Sequence, residues 1–167
     1  YVIRHFELGF APAAKDTFTR AALAAGYNLD LLTTTGLTIH YPERENKPDT
    51  LLDRFQDRVM FPIHSLSGRV IGFGGRTLRN EKQVSKYLNS PESEIYNKSR
   101  SLYGLYFAKQ EIGKTQKCYL VEGYTDVITL FQAGIRNVVS SSGTSLTADQ
   151  IRLIKRFTQQ VTVLYDG

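Results

Sequence analysis

The feature that most constrains the fold is an alternation of apolar runs and helical patterns in the last third of the chain. "CYLV" (118–121), "VVSS" (138–141) and "VTVLY" (161–165) are rich in apolar and β-branched residues, which is typical of buried strands. Helical patterns separate them over about 125–133 and 147–157. An order of strand, helix, strand, helix, strand requires right-handed crossovers and a parallel sheet. We therefore predict an α/β unit here.

Polar side chains follow the strands of this predicted sheet. Glu122, the "SSGTS" turn (141–145) and Asp166 each come directly after a strand. Asp126 falls in the first turn of the next helix, where the helix dipole tolerates an acid whose side chain can turn back toward the strand ends. Ligands of parallel sheets gather beyond the carboxyl ends of the strands. We therefore expect the three carboxylates to converge at one edge.

Three converging carboxylates would repel one another, a cost that bound divalent cations remove. Ligands that are all oxygen favour Mg²⁺ or Mn²⁺ over zinc. The residues alone leave other interpretations open, since Asp126 would serve as a helix N-terminal charge and Asp166 as a turn residue before Gly167. Glu122 is harder to explain without a partner, because glutamate is unfavourable at a buried strand end.

The first third of the chain predicts helices. "APAAKDTFTRAALAAG" (11–26) and "NLDLLTTTG" (28–36) have helical spacing, and the second begins with a capping-type Asn28. "YPERENKPDT" (41–50) is polar, contains two prolines and predicts a loop.

The middle of the chain predicts a β-hairpin. "RVMFPIHSLSGRVIGFGGRTL" (58–78) holds two strand-like runs around a Ser-Leu-Ser-Gly turn, with Pro62 favouring an edge or bulged strand. The glycines of "GFGGR" (72–76) indicate a close backbone approach or a turn, and their spacing excludes a dinucleotide or P-loop fingerprint. Residues 86–113 predict a tyrosine-rich loop that runs into a helix ending near Gly113.

The net charge of +5 is concentrated in the middle of the chain. Basic and acidic residues number 7 and 8 over residues 1–60, 9 and 4 over 61–116, and 5 and 4 over 117–167. A basic stretch between two nearly neutral ones indicates a surface for a polyanion, with phosphate backbones as the first candidate. A solvated lysine-rich face is the alternative.

Composition excludes several classes of protein. One cysteine and three scattered histidines give no zinc-site spacing and no intrachain disulfide. No run of about 18 apolar residues is present, so we expect no membrane-spanning segment. We expect a cytoplasmic protein. Because the chain begins without methionine and without a signal-like segment, we expect an excised piece of a longer one.

The motifs "LVEGYTDVI", "GTS" and "LYDG" resemble the Toprim family of primases, topoisomerases and nucleases. That family's pattern is a glutamate after the first strand, which Glu122 matches, and an Asp-x-Asp after the third, whose first two places match Asp166 and Gly167. The resemblance implies that Glu122, Asp126 and Asp166 hold catalytic Mg²⁺ or Mn²⁺. The second aspartate would be residue 168, so we expect the chain as it stands to have an incomplete site and to be inactive by itself.

Upstream motifs narrow the resemblance. "DRFQDRVMFPIHSLSGRVIGFGGRTL" (53–78), "KYLNSPES" (86–93) and "LYGLYFAK" (102–109) resemble the RNA-polymerase catalytic domain of bacterial replicative DNA primases. The implied architecture is a basic α+β amino-terminal subdomain with a β-hairpin over 1–115, followed by a truncated α/β Toprim subdomain with a parallel sheet over 116–167.

The same resemblance implies synthesis of short RNA primers from ribonucleoside triphosphates on a single-stranded DNA template, by a monomer. Zinc would be bound only in a domain outside this chain, and a replicative helicase would bind through a region absent here. Template and nucleotide contacts are implied for a basic and polar set: Arg54, Arg58, Arg76, Lys86, Asn89 and, more weakly, Lys98 and Arg100, with Tyr87 stacking on a base.

Two other functions remain open at this point. The chain could belong to a Toprim topoisomerase or nuclease, or it could be a module that binds single-stranded nucleic acid without a metal. For any single basic residue, a solvated surface charge is the structural alternative.

Overall fold

The structure is a computed structural model that describes residues 1–79, 84–143 and 145–165. Asp166, one of the predicted metal ligands, lies outside the described residues. Strands and helices form a mixed α/β architecture, as predicted. The strands are β1 (Gly9–Ala11), β2 (Thr38–Tyr41), β3 (Thr50–Asp53), β4 (Arg58–His64), β5 (Val70–Thr77), β6 (Tyr87–Asn89), β7 (Cys118–Val121), β8 (Val138–Ser140) and β9 (Val161–Val163). The helices are α1 (Val2–His5), α2 (Thr17–Ala24), α3 (Leu29–Thr34), α4 (Leu105–Thr115), α5 (Tyr124–Gln132) and α6 (Ala148–Lys155), with a 3₁₀ helix at Lys98–Arg100.

The predicted parallel sheet is present in the order β8-β7-β9. Tyr119 of β7 lies opposite Val138 on one side and Thr162 on the other, both in parallel register. The strands β8 and β9 end one and two residues earlier than predicted. Their carboxyl ends therefore lie at the same edge, directly before the polar residues that follow β7 and β8.

A buried apolar cluster holds α4 and α6 against this sheet. It contains Ile112 from α4, Leu120 from β7, Val139 from β8 and Ile154 from α6. Helix α4 ends at Thr115, near Gly113 as predicted. It stops there because Gln116 takes the left-handed conformation (φ 52°) and its Nε2 caps the Gly113 carbonyl at 2.6 Å.

The predicted β4–β5 hairpin is also present, within a four-stranded antiparallel sheet of order β1-β4-β5-β6. The register shifts between Ile63 and His64, so the bulged form of the predicted edge or bulged strand occurs. Strand β4 is not an edge strand, since β1 pairs with it on the side away from β5. The pairing of β1 with β4 stops at Met60. Pro62 therefore has no described strand beside it on that side, where its missing backbone N–H would otherwise be needed.

The glycines of β5 allow aromatic rings to lie directly on its backbone. An ideal Cβ on Gly74 would lie 2.4 Å from Cζ of Tyr124, and one on Gly75 would lie 2.7 Å from Cδ1 of Phe55. A side chain at either position would overlap the ring. The close approach predicted from the "GFGG" spacing is therefore a contact between β5 and aromatic residues of the protein itself.

The amino-terminal region differs from its prediction. Residues 9–11 pair with β4 as strand β1, so the helix predicted over 11–26 begins only at Thr17. Its N-terminal donors bind a distant carboxylate, because Asp53 accepts from the backbone N–H groups of Phe18 and Thr19 at 2.7 and 2.8 Å. Helix α3 follows the prediction, with the Asn28 side chain accepting from the Asp30 N–H at 2.7 Å.

The polar segment 41–50 connects two strands that the sequence did not predict. Strands β2 and β3 pair antiparallel, with Thr38 opposite Asp53 and Tyr41 opposite Thr50. The predicted loop is therefore the connection of a second hairpin.

The segment before α4 is tied to the parallel sheet by its backbone. Tyr103 and Ser140 form an antiparallel bridge, with the Tyr103 N–H donating to the Ser140 carbonyl at 2.9 Å and the reverse bond at 3.0 Å. Tyr103 thus covers the free side of β8. The subdomain boundary near residue 115 stays a prediction.

No described helix combines the length and apolar character needed to cross a bilayer.

We predict that Gly74→Ala destabilises the protein by about 1–3 kcal/mol, because the added methyl group must displace the Tyr124 ring. The measurement is the midpoint of urea denaturation. Gly113→Ala is the matched control, since a Cβ there meets no atom within 4 Å and alanine favours the helix by about 1 kcal/mol. Equal effects of the two substitutions would contradict the close approach.

We also predict that Cys118 is unreactive in the folded protein. The residue is fully buried, and its burial raises the pKa of the thiol to about 12, so the reactive thiolate is scarce at mildly alkaline pH. A colorimetric thiol reagent should react only after denaturant is added. Rapid labelling of the native protein would show that β7 opens readily.

Candidate active site

A cleft of about 310 Å³ lies between the antiparallel and parallel sheets. Arg76, Lys86 and Tyr87 form one wall. The other wall is formed by residues that follow β7 and β8: Glu122, Gly123, Tyr124, Thr125, Asp126, Ser142 and Gly143. The fold thus brings five of the predicted site residues into one cleft: two acids, two basic residues and one tyrosine.

Glu122 stands at the tip of β7 with an exposed side chain. Its backbone carbonyl accepts a hydrogen bond of 2.6 Å from Oγ of Ser140, which is fully buried at the end of β8. The same hydroxyl oxygen accepts from the Ser142 N–H at 2.9 Å. Ser140 therefore joins the ends of the two strands and fixes the backbone that carries the carboxylate.

Asp126 occupies the first turn of α5, as predicted. Its Oδ2 accepts a hydrogen bond of 2.9 Å from the Gly123 N–H, which satisfies a donor at the start of the helix. This is the helix N-terminal role named as the alternative. It also holds the carboxylate on the wall of the cleft, so the two roles are compatible.

The basic wall is held together by Tyr87. The guanidinium carbon of Arg76 lies 5.9 Å from the centroid of the Tyr87 ring, within the range of a cation–π contact. The Tyr87 hydroxyl lies 3.3 Å from Oγ1 of Thr125 on the opposite wall. Lys86 is exposed and also lines the cleft. The two walls therefore carry opposite charge across a short gap.

Three of the predicted nucleic-acid residues point into the protein. Arg58 is buried and its Nη1 donates to the carbonyls of Gly75 and Ser85 at 3.2 and 2.9 Å. Arg54 donates from Nε and Nη2 to the Asn89 carbonyl at 3.2 and 3.0 Å. Burial lowers the pKa of both guanidinium groups. Both arginines fix the segment that carries Lys86 and Tyr87.

Asn89 is the third of these residues, and its side chain joins the two sheets. Its Oδ1 accepts a hydrogen bond of 2.7 Å from the Tyr124 hydroxyl, and its Nδ2 donates to the Ser142 carbonyl at 3.4 Å. Burial raises the pKa of Tyr124, so its hydroxyl stays a donor. No sequence signal marked Tyr124, since its role depends on the neighbouring sheet.

Lys98 and Arg100 are not brought to the cleft. They belong to the 3₁₀ helix, which packs against α6, and Nε of Arg100 donates to Oδ2 of Asp149 at 3.0 Å. Whether either residue contacts nucleic acid stays a prediction.

A second cavity of about 310 Å³ lies on the other side of the antiparallel sheet. It is lined mainly by apolar side chains, including Phe10, Phe18 and Phe73. Its one carboxylate, Asp53, uses both oxygens to bind the start of α2. This cavity lacks the opposed charges of the cleft, so the chemistry of the site is assigned to the cleft.

Comparison with known proteins shows which protein families the two parts of the chain match. Residues 119–167 match the family model described as Toprim-like, and residues 1–109 match the one described as DNA primase catalytic core, N-terminal domain. The parallel-sheet unit thus has the Toprim fold.

Relatives found by sequence and matching solved structures are primases. The DNA primase of Escherichia coli (strain K12) is 45% identical over 166 residues, which cover 99% of this chain and 27% of that protein. The Aquifex aeolicus primase structure (zinc-binding and RNA polymerase domains) matches with a TM-score of 0.88 and 40% identity, covering 99% of this chain and 39% of that one. A DnaG primase catalytic domain bound to ssDNA matches with a TM-score of 0.82 and 45% identity, covering 99% and 51%.

The chain belongs to the DNA primase family, and the expected resemblance is confirmed. It spans about a quarter of the length of the curated relatives it matches.

We predict that Asn89→Asp destabilises the protein by about 1–3 kcal/mol, because a carboxylate oxygen would face the Ser142 carbonyl in place of a donor. Urea denaturation gives the free energy of unfolding. Asn28→Asp makes the same chemical change at a helix cap, where asparagine and aspartate are about equally effective, and should be nearly neutral. Normal stability of the Asn89→Asp variant would contradict the proposed structural role of the Asn89 side chain and would favour a direct contact with nucleic acid.

Proposed function

We propose that the chain is part of the catalytic core of a primase that makes short RNA primers on single-stranded DNA by metal-dependent nucleotidyl transfer. The observation that carries the proposal is the cleft, in which Glu122 and Asp126 face Arg76 and Lys86. The DNA primase named among the relatives and the ssDNA bound by one of them support the choice of reaction and template.

The donor groups of the cleft suit Mg²⁺ or Mn²⁺. Glu122 and Asp126 are exposed carboxylates, and the single hydrogen bond to Gly123 leaves Asp126 a second oxygen as a ligand. Within residues 1–79, 84–143 and 145–165, no group of three His, Cys, Asp or Glu side chains is placed to hold a metal. Mg²⁺ is commonly bound by one or two carboxylates together with substrate phosphates, so this sparse set fits that chemistry. Asp166 is proposed as a further ligand.

When bound, a divalent cation would lower the pKa of the primer 3′-hydroxyl and neutralise charge on the departing pyrophosphate. The residues of the chain supply binding and position. Arg76 can fork two phosphate oxygens, and Lys86 adds a point charge. Tyr87, held between Arg76 and Thr125, presents a ring edge or face to a base or ribose. No protein nucleophile is needed, because phosphoryl transfer depends mainly on positioning and charge neutralisation.

We predict that Glu122→Gln lowers template-directed RNA synthesis by roughly hundredfold or more while leaving affinity for single-stranded DNA unchanged, because it removes a metal ligand without removing a basic group. Synthesis is measured with Mg²⁺ or Mn²⁺ in the chain extended to the length of the relatives' catalytic cores. Glu43→Gln, in the exposed connection between β2 and β3, is the matched control and should retain activity.

Binding of Mn²⁺, followed by electron paramagnetic resonance, provides a second readout that is independent of turnover. It should weaken in Glu122→Gln and stay unchanged in Glu43→Gln. Full RNA synthesis by Glu122→Gln would overturn the metal assignment. Cleavage or relaxation of supercoiled DNA without RNA synthesis would favour a Toprim topoisomerase or nuclease. DNA binding that is unaffected by Mn²⁺, without RNA synthesis, would favour a metal-free binding module.

A further inference from the structure

A second concentration of positive charge lies outside the cleft, on the 3₁₀ helix and α6. Arg100, Arg152 and Arg156 line a shallow depression of about 220 Å³ together with Asp149 and Leu153. We call the three arginines the α6 arginine patch. Arg152 and Arg156 are four residues apart and so lie on the same side of α6.

The patch stands on a rigid support. Gln150 of α6 is fully buried, and its Nε2 donates to the carbonyls of Lys98 and Ser101 at 3.2 and 2.9 Å. The Thr147 hydroxyl donates to the Ser99 carbonyl at 2.5 Å. These bonds fix the 3₁₀ helix to the start of α6, which sets the position of Arg100 relative to the arginines of the helix.

Asp149 orders two of the three side chains without neutralising the patch. Its Oδ2 accepts from Nε of Arg100 at 3.0 Å and its Oδ1 from Nη1 of Arg152 at 2.6 Å. These hydrogen bonds lower the pKa of the Asp149 carboxyl group, which keeps it ionised. One negative charge faces three positive ones. The side chains of Arg100 and Arg152 stay 70% and 74% exposed, so their remaining donors are open to a ligand.

Stability is a weak explanation for this arrangement, because exposed ion pairs contribute about 0–1 kcal/mol. Ordered guanidinium groups with spare donors suit phosphodiester oxygens, which they bind in pairs. The lining of the depression consists mainly of arginine side chains, which bind phosphate groups, so its contacts would be independent of base sequence.

The start of α6, the helix that carries most of the patch, is close to the cleft. Gly143 lines the cleft and Thr147 caps α6, and the four Cα–Cα steps from one to the other can span at most about 14 Å. We propose that the α6 arginine patch binds the phosphate backbone of single-stranded DNA that extends out of the cleft. The proposal rests on the proposed function of the cleft as a nucleic-acid site.

The test compares labelled single-stranded DNA of two lengths, about 6 and about 20 nucleotides, by fluorescence anisotropy across a salt series. The patch variant is Arg152→Gln with Arg156→Gln. The matched control is Arg4→Gln with Arg20→Gln, which removes two exposed arginines from α1 and α2, one of them paired with Asp16 as Arg152 is with Asp149. Lys86→Gln reports on the cleft.

For the long DNA, the slope of log affinity against log salt should fall by about 1.4 in the patch variant, about 0.7 for each phosphate group that is no longer neutralised. The control should keep the original slope, and the short DNA should bind the patch variant normally. Lys86→Gln should weaken the binding of both lengths.

A patch variant with the control's slope for the long DNA would overturn the patch proposal and leave the cleft standing. A reduced slope in the patch variant, with no effect of Lys86→Gln at either length, would support the patch and overturn the proposed function of the cleft. Weaker binding of poly-glutamate with unchanged binding of DNA would also overturn the patch proposal, in favour of an acidic protein partner.

Discussion

The contact between the Tyr124 ring and the backbone of β5 at Gly74 sets the geometry on which the site depends. The ring is stacked on Phe61 at 5.1 Å between centroids and meets Tyr103 edge-on at 4.7 Å, and its hydroxyl binds Asn89. Tyr124 is the first residue of α5 and follows Glu122 by two positions. The antiparallel sheet therefore fixes where α5 begins, and with it the distance between the carboxylates and the basic wall.

The parts of the fold that could be predicted are those in which each element has a strong pattern of its own. The parallel sheet followed from three apolar runs separated by helical spacing, and the convergence of Glu122 and Asp126 followed from that topology. Strands β1, β2 and β3 were missed because they are three or four residues long and mostly partly exposed, so no two-residue alternation stands out. The Asp53 carboxylate, which accepts from the first N–H groups of α2, was missed because it lies 34 residues away from Thr19.

Which basic residues line the cleft and which are buried could not be predicted from the sequence, for a different reason. Arg58 and Arg76 are the same residue type in paired strands, and one is buried under the sheet while the other lines the cleft. Arg58 lies opposite Thr77 and Arg76 opposite Val59, so the two arginines occupy adjacent register positions and face opposite sides of the sheet. A shift of β5 by one residue relative to β4 would turn Arg76 to the face of the sheet that Arg58 occupies. The register depends on the geometry of the turn and the bulge, and the positions of charged residues in the sequence give no information about either.

The bridge between Tyr103 and Ser140 bears on whether the two halves of the chain are separable modules. A strand with unpaired backbone groups at a sheet edge is a template for pairing with another molecule, and native proteins usually cover such an edge. Here the cover for β8 comes from a residue on the amino-terminal side of α4, so the halves share a hydrogen-bonded seam. Removing the first 115 residues would uncover β8 together with the apolar face that α4 protects, and the liberated sheet would be prone to edge-to-edge aggregation.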